Sequence, residues 1–128
     1  MNAQHRLGAE GEKLAAMHLA GKGYRIVARN FRFHRNEIDI VAHDGDELCF
    51  IEVKTRASLD KGHPAEAVTP RKQKEIARAA SGYLAGQKNP WVNCRFDVIT
   101  IIAKHMDGAS ILDYELEHFK AAFMAGEG

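Results

Sequence analysis

At 128 residues, 45% of them hydrophobic and 27% charged, the chain suits one domain with a real core and leaves little room for two. No apolar run approaches the roughly 20 residues of a membrane span, and the N-terminus lacks a signal-peptide core, so a cytoplasmic location without a membrane partner is expected. The formal net charge is only +1, but it is segregated: residues 36–53 carry six acids and no Lys or Arg, between basic segments at 22–35 and 54–78.

Residues 3–21 read as a helix, with Leu7, Gly11, Leu14, Ala15, His18 and Leu19 on one face and Gly21 and Gly23 ending it. Tyr24 to Phe33 is aromatic and β-branched and reads as a strand, with a break expected at Asn30. Glu37 to Ala42 alternates polar and apolar. The turn His43-Asp44-Gly45-Asp46 follows, with Asp44-Gly45 as a two-residue type I′ loop, and Leu48 to Thr55 returns. A looser stretch, 57–68, has the look of a mobile surface loop. Thr69 then caps a helix with Pro70 in its first turn, running to about Leu84 and ended by Gly86 and Pro90. Arg95 to Ala103 is a strand, Asp107-Gly108 a turn, 111–116 a short strand, and Glu117 to Met124 a closing helix. The order α-β-β-β-α-β-β-α implies an α/β domain, a central mixed sheet flanked by helices. Cys49 and Cys94 lie in apolar runs and read as small buried hydrophobes rather than a disulfide or metal pair, and Trp91 as a lid on the core.

The chemistry concentrates on the hairpin. With Asp44-Gly45 as its turn, Asp39 faces Phe50 and Glu37 faces Glu52, so Asp39 and Glu52 are diagonal neighbours roughly 7 Å apart at the backbone. Lys54, two residues on, shares the face of Glu52, while Ile38, Ile40, Cys49, Ile51 and Val53 point into the core. Carboxylates held this close repel, and burial strengthens the repulsion. A divalent cation removes the conflict, and magnesium takes one or two carboxylates plus waters and substrate phosphate. Glu-x-Lys alone is a weak signal that an exposed strand pair also produces; Asp39 in the preceding strand and the tight turn give it weight.

Glu12 shares its helix with Gly8, Ala15 and Ala16, small residues that would let the helix approach the sheet and aim Glu12 at a metal; a solvated Glu is the other reading. Gln73 aligns with Ile76, Ala77, Ala80 and Leu84, so its amide needs a buried partner, whether site water, phosphate or a strand carbonyl. Arg29, Arg32, Arg35, Arg56, Arg71, Lys72 and Lys74 are the candidates for following a nucleic-acid backbone, against the plainer reading of solvated charge. The seven histidines show no metal-ligand spacing, and no P-loop, GxGxxG or nucleophile elbow is present.

Taken together, Gly8-x-x-Gly11-Glu12, Arg29-Asn30-x-Arg32, Glu37-Ile38-Asp39, Phe50-Ile51-Glu52-Val53-Lys54-Thr55-Arg56, Val68-Thr69-Pro70-x-Lys72, Tyr83-Leu84 and Arg95-Phe96-Asp97-Val98-Ile99 resemble the YraN family of bacterial proteins, over about residues 6–123. That family is similar to the PD-(D/E)xK nucleases of the Holliday-junction resolvase type. The resemblance implies a restriction-endonuclease-like core and a Mg2+- or Mn2+-dependent endonuclease acting on DNA, with a homodimer as the common assembly of such relatives. It places the motif's Asp, Glu and Lys at Asp39, Glu52 and Lys54, with Glu12 as the first-helix Glu and Gln73 as a looser helix-borne match. The metal ligands it implies are Asp39, Glu52, the Val53 carbonyl and Glu12. Ile38 stands where the superfamily's Pro would be. A nucleic-acid-binding module without catalysis is the alternative.

Overall fold

The computed structural model describes residues 2–88 and 93–124. Helix α1 spans Ala3–Gly21, its first turn closed by Asn2, whose side chain accepts from the His5 N–H at 2.8 Å. Strands β1 (Arg25–Phe33), β2 (Asn36–Asp44) and β3 (Glu47–Arg56) form a meander, and α2 (Pro70–Ala85) crosses over to β4 (Asn93–Asp107) and β5 (Ser110–Phe123). The five strands make one sheet in the order β1-β2-β3-β4-β5, antiparallel except for the β3–β4 pair. A parallel pair needs a long crossover, and α2 supplies it. Thr69 caps α2 as expected, accepting from the Lys72 N–H at 3.3 Å. The stretch 57–68 is less loose than expected, because Pro64–Ala67 forms a short 3-10 turn in which Pro64 is buried. Pro90 and Trp91 lie outside the described residues, as does any lid formed there.

Both faces of the sheet are core. Ala15, Ala16 and Leu19 of α1 pack on Ile40, Cys49, Ile51, Val53, Ile99 and Ile101. Ile76, Ala79 and Ala80 of α2 pack on Ile38, Val41, Phe50, Phe96 and Val98. This corrects the expected single apolar face of the hairpin: Ile38 belongs to the opposite side from Ile40. Residues two apart on a regular strand share a face, so β2 must rotate between them, at Asp39. Opposite that point, Asn30 takes a positive φ of 51°, which marks the expected break in β1.

Helix α1 presses on the sheet at Gly11, not at Gly8. A Cβ on Gly11 would stand 1.9 Å from Thr55 Oγ1 and 2.9 Å from Thr55 Cβ, whereas one on Gly8 would meet nothing within 4 Å. Gly11 thus fixes the height of α1 over β3 and the position of its neighbour Glu12. Gly11→Ala will destabilise the protein by about 1–3 kcal/mol in urea titrations, because the overpacking outweighs the helix propensity that alanine adds. Gly11→Ala with Thr55→Ala will recover most of that loss; a double variant no better than the single one would place the fault elsewhere.

Two further expectations need correction. The closing helix over Glu117 to Met124 is instead the second half of β5, paired with β4 from Asp107↔Ser110 to Phe96↔Phe123. The long β4 carries an apolar run whose backbone needs a ladder partner, and that demand overrides the helix-forming residues near 117–124. Cys49 is buried as expected, but Cys94 is exposed at the start of β4.

Candidate functional site at a strand fork

The hairpin turn is Gly45-Asp46, between the pair Asp44↔Glu47, one residue later than expected. Only Gly45 takes positive φ (58°), the pattern of a type II′ loop with glycine in first place. The register therefore slips by two: Val41, not Asp39, pairs with Phe50. The β2–β3 ladder ends at Ile40↔Ile51, while β1–β2 continues to Phe33↔Asn36 and β3–β4 to Arg56↔Ile102. Strands β2 and β3 thus part at Asp39. The Val53 N–H beyond the fork donates to Asp39 Oδ2 at 2.8 Å, so the carboxylate takes the place of the missing ladder acceptor.

Glu52 is 4% exposed. Its Oε2 is buried without a hydrogen-bond partner; the Lys72 ammonium stands 3.6 Å away, an ion pair but not a hydrogen bond. The Asp39 carboxyl is held well above the usual carboxylate range, first by burial and then by the Glu52 carboxyl within hydrogen-bonding reach and its charge. Burial, followed by the charge of Asp39, also pushes Glu12 up. Asn30 bridges this group from β1: its Nδ2 donates to Glu12 Oε1 at 2.7 Å and to Glu37 Oε1 at 3.1 Å. Arg32 closes on Glu37 Oε2 at 3.3 Å.

The fork therefore gathers Asp39, Glu52 and Glu12 from β2, β3 and α1. Half-buried Lys54 lies two residues beyond Glu52, in register with Thr100 of β4. Gln73 is not part of the cluster; its Nε2 donates at 3.1 Å to the Val68 carbonyl, a backbone partner in the loop before α2 rather than the expected strand carbonyl, site water or phosphate. Among the described residues, no three His, Cys, Asp or Glu side chains already stand in metal-ligating geometry. Of the basic candidates, Arg29, Arg32, Arg35, Arg71 and Lys74 are exposed, and Arg56 and Lys72 are half-buried. Lys72 serves Glu52, Arg56 Nη1 donates to the Thr55 carbonyl at 3.0 Å, and Arg71 pairs with Glu75 at 3.8 Å.

Sequence reasoning missed two members. Asn30 reads in the sequence as a strand break and a motif residue, but not as the positioning group that an amide in a left-handed conformation beside two glutamates is. Lys72 reads in the sequence as a candidate for a nucleic-acid backbone, and its pairing with Glu52 is not legible there, because helical periodicity does not register how far a long side chain reaches.

Comparison with known proteins adds the family. A UPF0102 protein of Chlorobaculum tepidum is 72% identical over 127 residues, covering 99% of this chain and 98% of the relative. A UPF0102 protein of Chlorobium limicola is 60% identical over 124 residues, and one of Symbiobacterium thermophilum 51% over 96, the latter covering 75% of this chain and 81% of the relative. The family model described as "Uncharacterised protein family UPF0102" matches residues 11–101, a span that takes in α1 from Gly11, the fork and its three carboxylates. The likeness read from the motifs is thereby met: the chain belongs to UPF0102, the YraN family.

Proposed function

We propose that this protein is a Mg2+- or Mn2+-dependent endonuclease on a restriction-endonuclease-like fold, hydrolysing phosphodiester bonds in branched or damaged DNA. The observation that carries the reading is the strand fork, where Asp39 and Glu52 crowd together and Glu52 Oε2 is buried without a hydrogen bond. An unpartnered buried carboxylate oxygen is costly unless something absent from the protein itself meets it. Hard oxygen donors of this kind suit magnesium or manganese. Asp39 and Glu52 would hold the ion, with Glu12 and the Val53 carbonyl completing the protein's share. When bound, the ion supplies Lewis acidity toward a phosphoryl oxygen and lowers the pKa of a bound water.

The chain's own residues do the rest. Lys54 Nζ donates to the attacking water or to a non-bridging phosphoryl oxygen, offsetting charge that grows in the transition state. Asn30 holds the Glu12 carboxylate by hydrogen bond, so that it faces the fork rather than solvent. Exposed Arg29, Arg32 and Arg35, with Lys74, supply charge for the strand's flanking phosphates.

The test is incubation with linear, forked and four-way DNA in Mg2+ or Mn2+, with EDTA and Asp39→Ala as controls. Cleavage that needs metal and is lost in the variant is expected. Cleavage that persists in Asp39→Ala would point to a contaminant, and salt-sensitive binding without cleavage would make this a non-catalytic nucleic-acid-binding module. Lys54→Ala is expected to lower the turnover rate by about 10²- to 10³-fold while the metal concentration for half-maximal activity changes little.

A further inference from the structure

Beside the fork, on the α2 side of the sheet, lies a groove of about 500 Å³ lined by Val68, Gln73, Val98, Phe119 and Phe123. Two aromatic rings form part of its lining: the Phe123 ring stacks on Phe96 with centroids 5.0 Å apart, and Phe119 meets His63 edge-on at 6.2 Å. Gln73 is the amide that lines it. Its Nε2 spends a hydrogen on the Val68 carbonyl, which leaves a second N–H and the carbonyl Oε1, a donor and an acceptor side by side. Aromatic rings and one amide edge are what a heteroaromatic base requires.

The sheet register sets the groove near the fork. Glu52 pairs with Val98, and Val98 with Phe119, so two strand steps of about 4.8 Å each separate the carboxylate from the aromatic wall. Helix α2 joins the two sites through consecutive residues, Lys72 on Glu52 and Gln73 in the groove. Lys120, also on the groove, adds positive charge toward a phosphate.

From this we infer that the groove seats one unstacked nucleobase of the strand whose phosphate rests at Asp39 and Glu52. The inference builds on the nuclease reading and narrows its substrate to DNA with an unpaired base near the scissile bond. A base already unpaired is the least costly to extrude, so the groove selects against intact duplex.

The test uses wild-type protein and a dye-labelled duplex carrying one bulged 2-aminopurine, compared with the same duplex bearing an abasic bulge, in calcium buffer at low salt. The base-bearing duplex is expected to bind about tenfold more tightly, with a change in 2-aminopurine fluorescence on binding. Phe119→Leu, which keeps apolar volume but removes the ring, and Gln73→Leu are each expected to pull that ratio toward one. Equal affinity for both duplexes overturns the groove while leaving the nuclease reading intact. A preference that survives in both variants also overturns it. Failure to bind either duplex overturns the nuclease reading as well.

Discussion

Asp39→Asn is expected to abolish metal-dependent cleavage, by about 10³-fold or more, and yet to raise the unfolding temperature of the metal-free protein. The two effects share one cause. In the absence of metal, Asp39 is half-buried against Glu52, and both desolvation and that neighbour hold its proton on. Its folded pKa lies above the unfolded value of about 3.9, so the folded state binds the proton more tightly. The stability this contributes is fully present below about pH 4 and is lost as the pH rises toward Asp39's raised value. An amide at this position mimics the protonated acid: its oxygen can still accept from the Val53 N–H, and it carries no charge to repel Glu52. Thermal melts in EDTA across pH 4–9 should therefore show a wild-type protein that weakens with rising pH and a variant that weakens less. Added Mg2+ should stabilise the wild type and leave Asp39→Asn little changed, as linkage requires of a ligand that binds only the intact site. A variant that melts lower than wild type at pH 8 without metal would show that Asp39 holds the fork together, not that it is held there against its own repulsion.

The candidate site is legible in the sequence because of a property of β-strands. The register was wrong by two residues, but a shift of two leaves every side chain on its original face, whereas a shift of one would have turned the set over. Asp39 and Glu52 therefore still meet, although the expected pairing of Asp39 with Phe50 is replaced by Val41 with Phe50. Asp44-Gly45 reads as a type I′ pair, but Gly45 takes the first central place of the turn. The fork itself was not legible. Nothing in the alternation of residues 37–42 says that Ile38 and Ile40 part company, because that rotation depends on β1 and on Asn30 opposite.

The first helix and the crossover helix were legible through caps, glycines and periodicity, all of them local signals. The second half of β5 was not, because its strand state is set by a partner. Glu117, Lys120, Ala121 and Ala122 favour a helix locally, but β4 is 15 residues long and offers a ladder along most of its length. Ala121 adopts a positive φ of 51°, and its N–H reaches Asp97 Oδ1 at 2.9 Å. A long-range polar contact thus determines the local backbone, and a sequence window cannot report it.

That contact belongs to the feature whose loss should cost the fold most. Asp97 is 0% exposed and Arg95 nearly buried. Arg95 grips Asp97 with Nε at 2.9 Å and Nη2 at 3.0 Å, and reaches Asp44 and Glu47 at the β2–β3 turn, each at 3.0 Å, and the Tyr24 hydroxyl at 2.9 Å. His118 Nε2 meets Asp97 Oδ2 at 2.8 Å from β5. One buried ion pair thus ties the hairpin turn, the exit of α1 and both C-terminal strands. Arg95→Ala would leave the Asp97 carboxylate buried without its counter-charge, and breaking such a pair costs about 3–5 kcal/mol. Arg95→Ala/Asp97→Asn should recover part of that, since no buried charge remains. Acid titration gives a second readout. Burial alone would raise Asp97, but the hydrogen bonds from His118, Arg95 and the Ala121 N–H, with the Arg95 charge, hold it below the usual carboxylate range. A depressed folded pKa contributes stability that is present above the unfolded value of about 3.9 and is lost as pH falls through the folded one. Without Arg95 that folded value rises, so the acid-unfolding midpoint of Arg95→Ala should move to higher pH. A urea midpoint and an acid midpoint both unchanged in the variant would mean that the network rides on a sheet already held by its apolar faces.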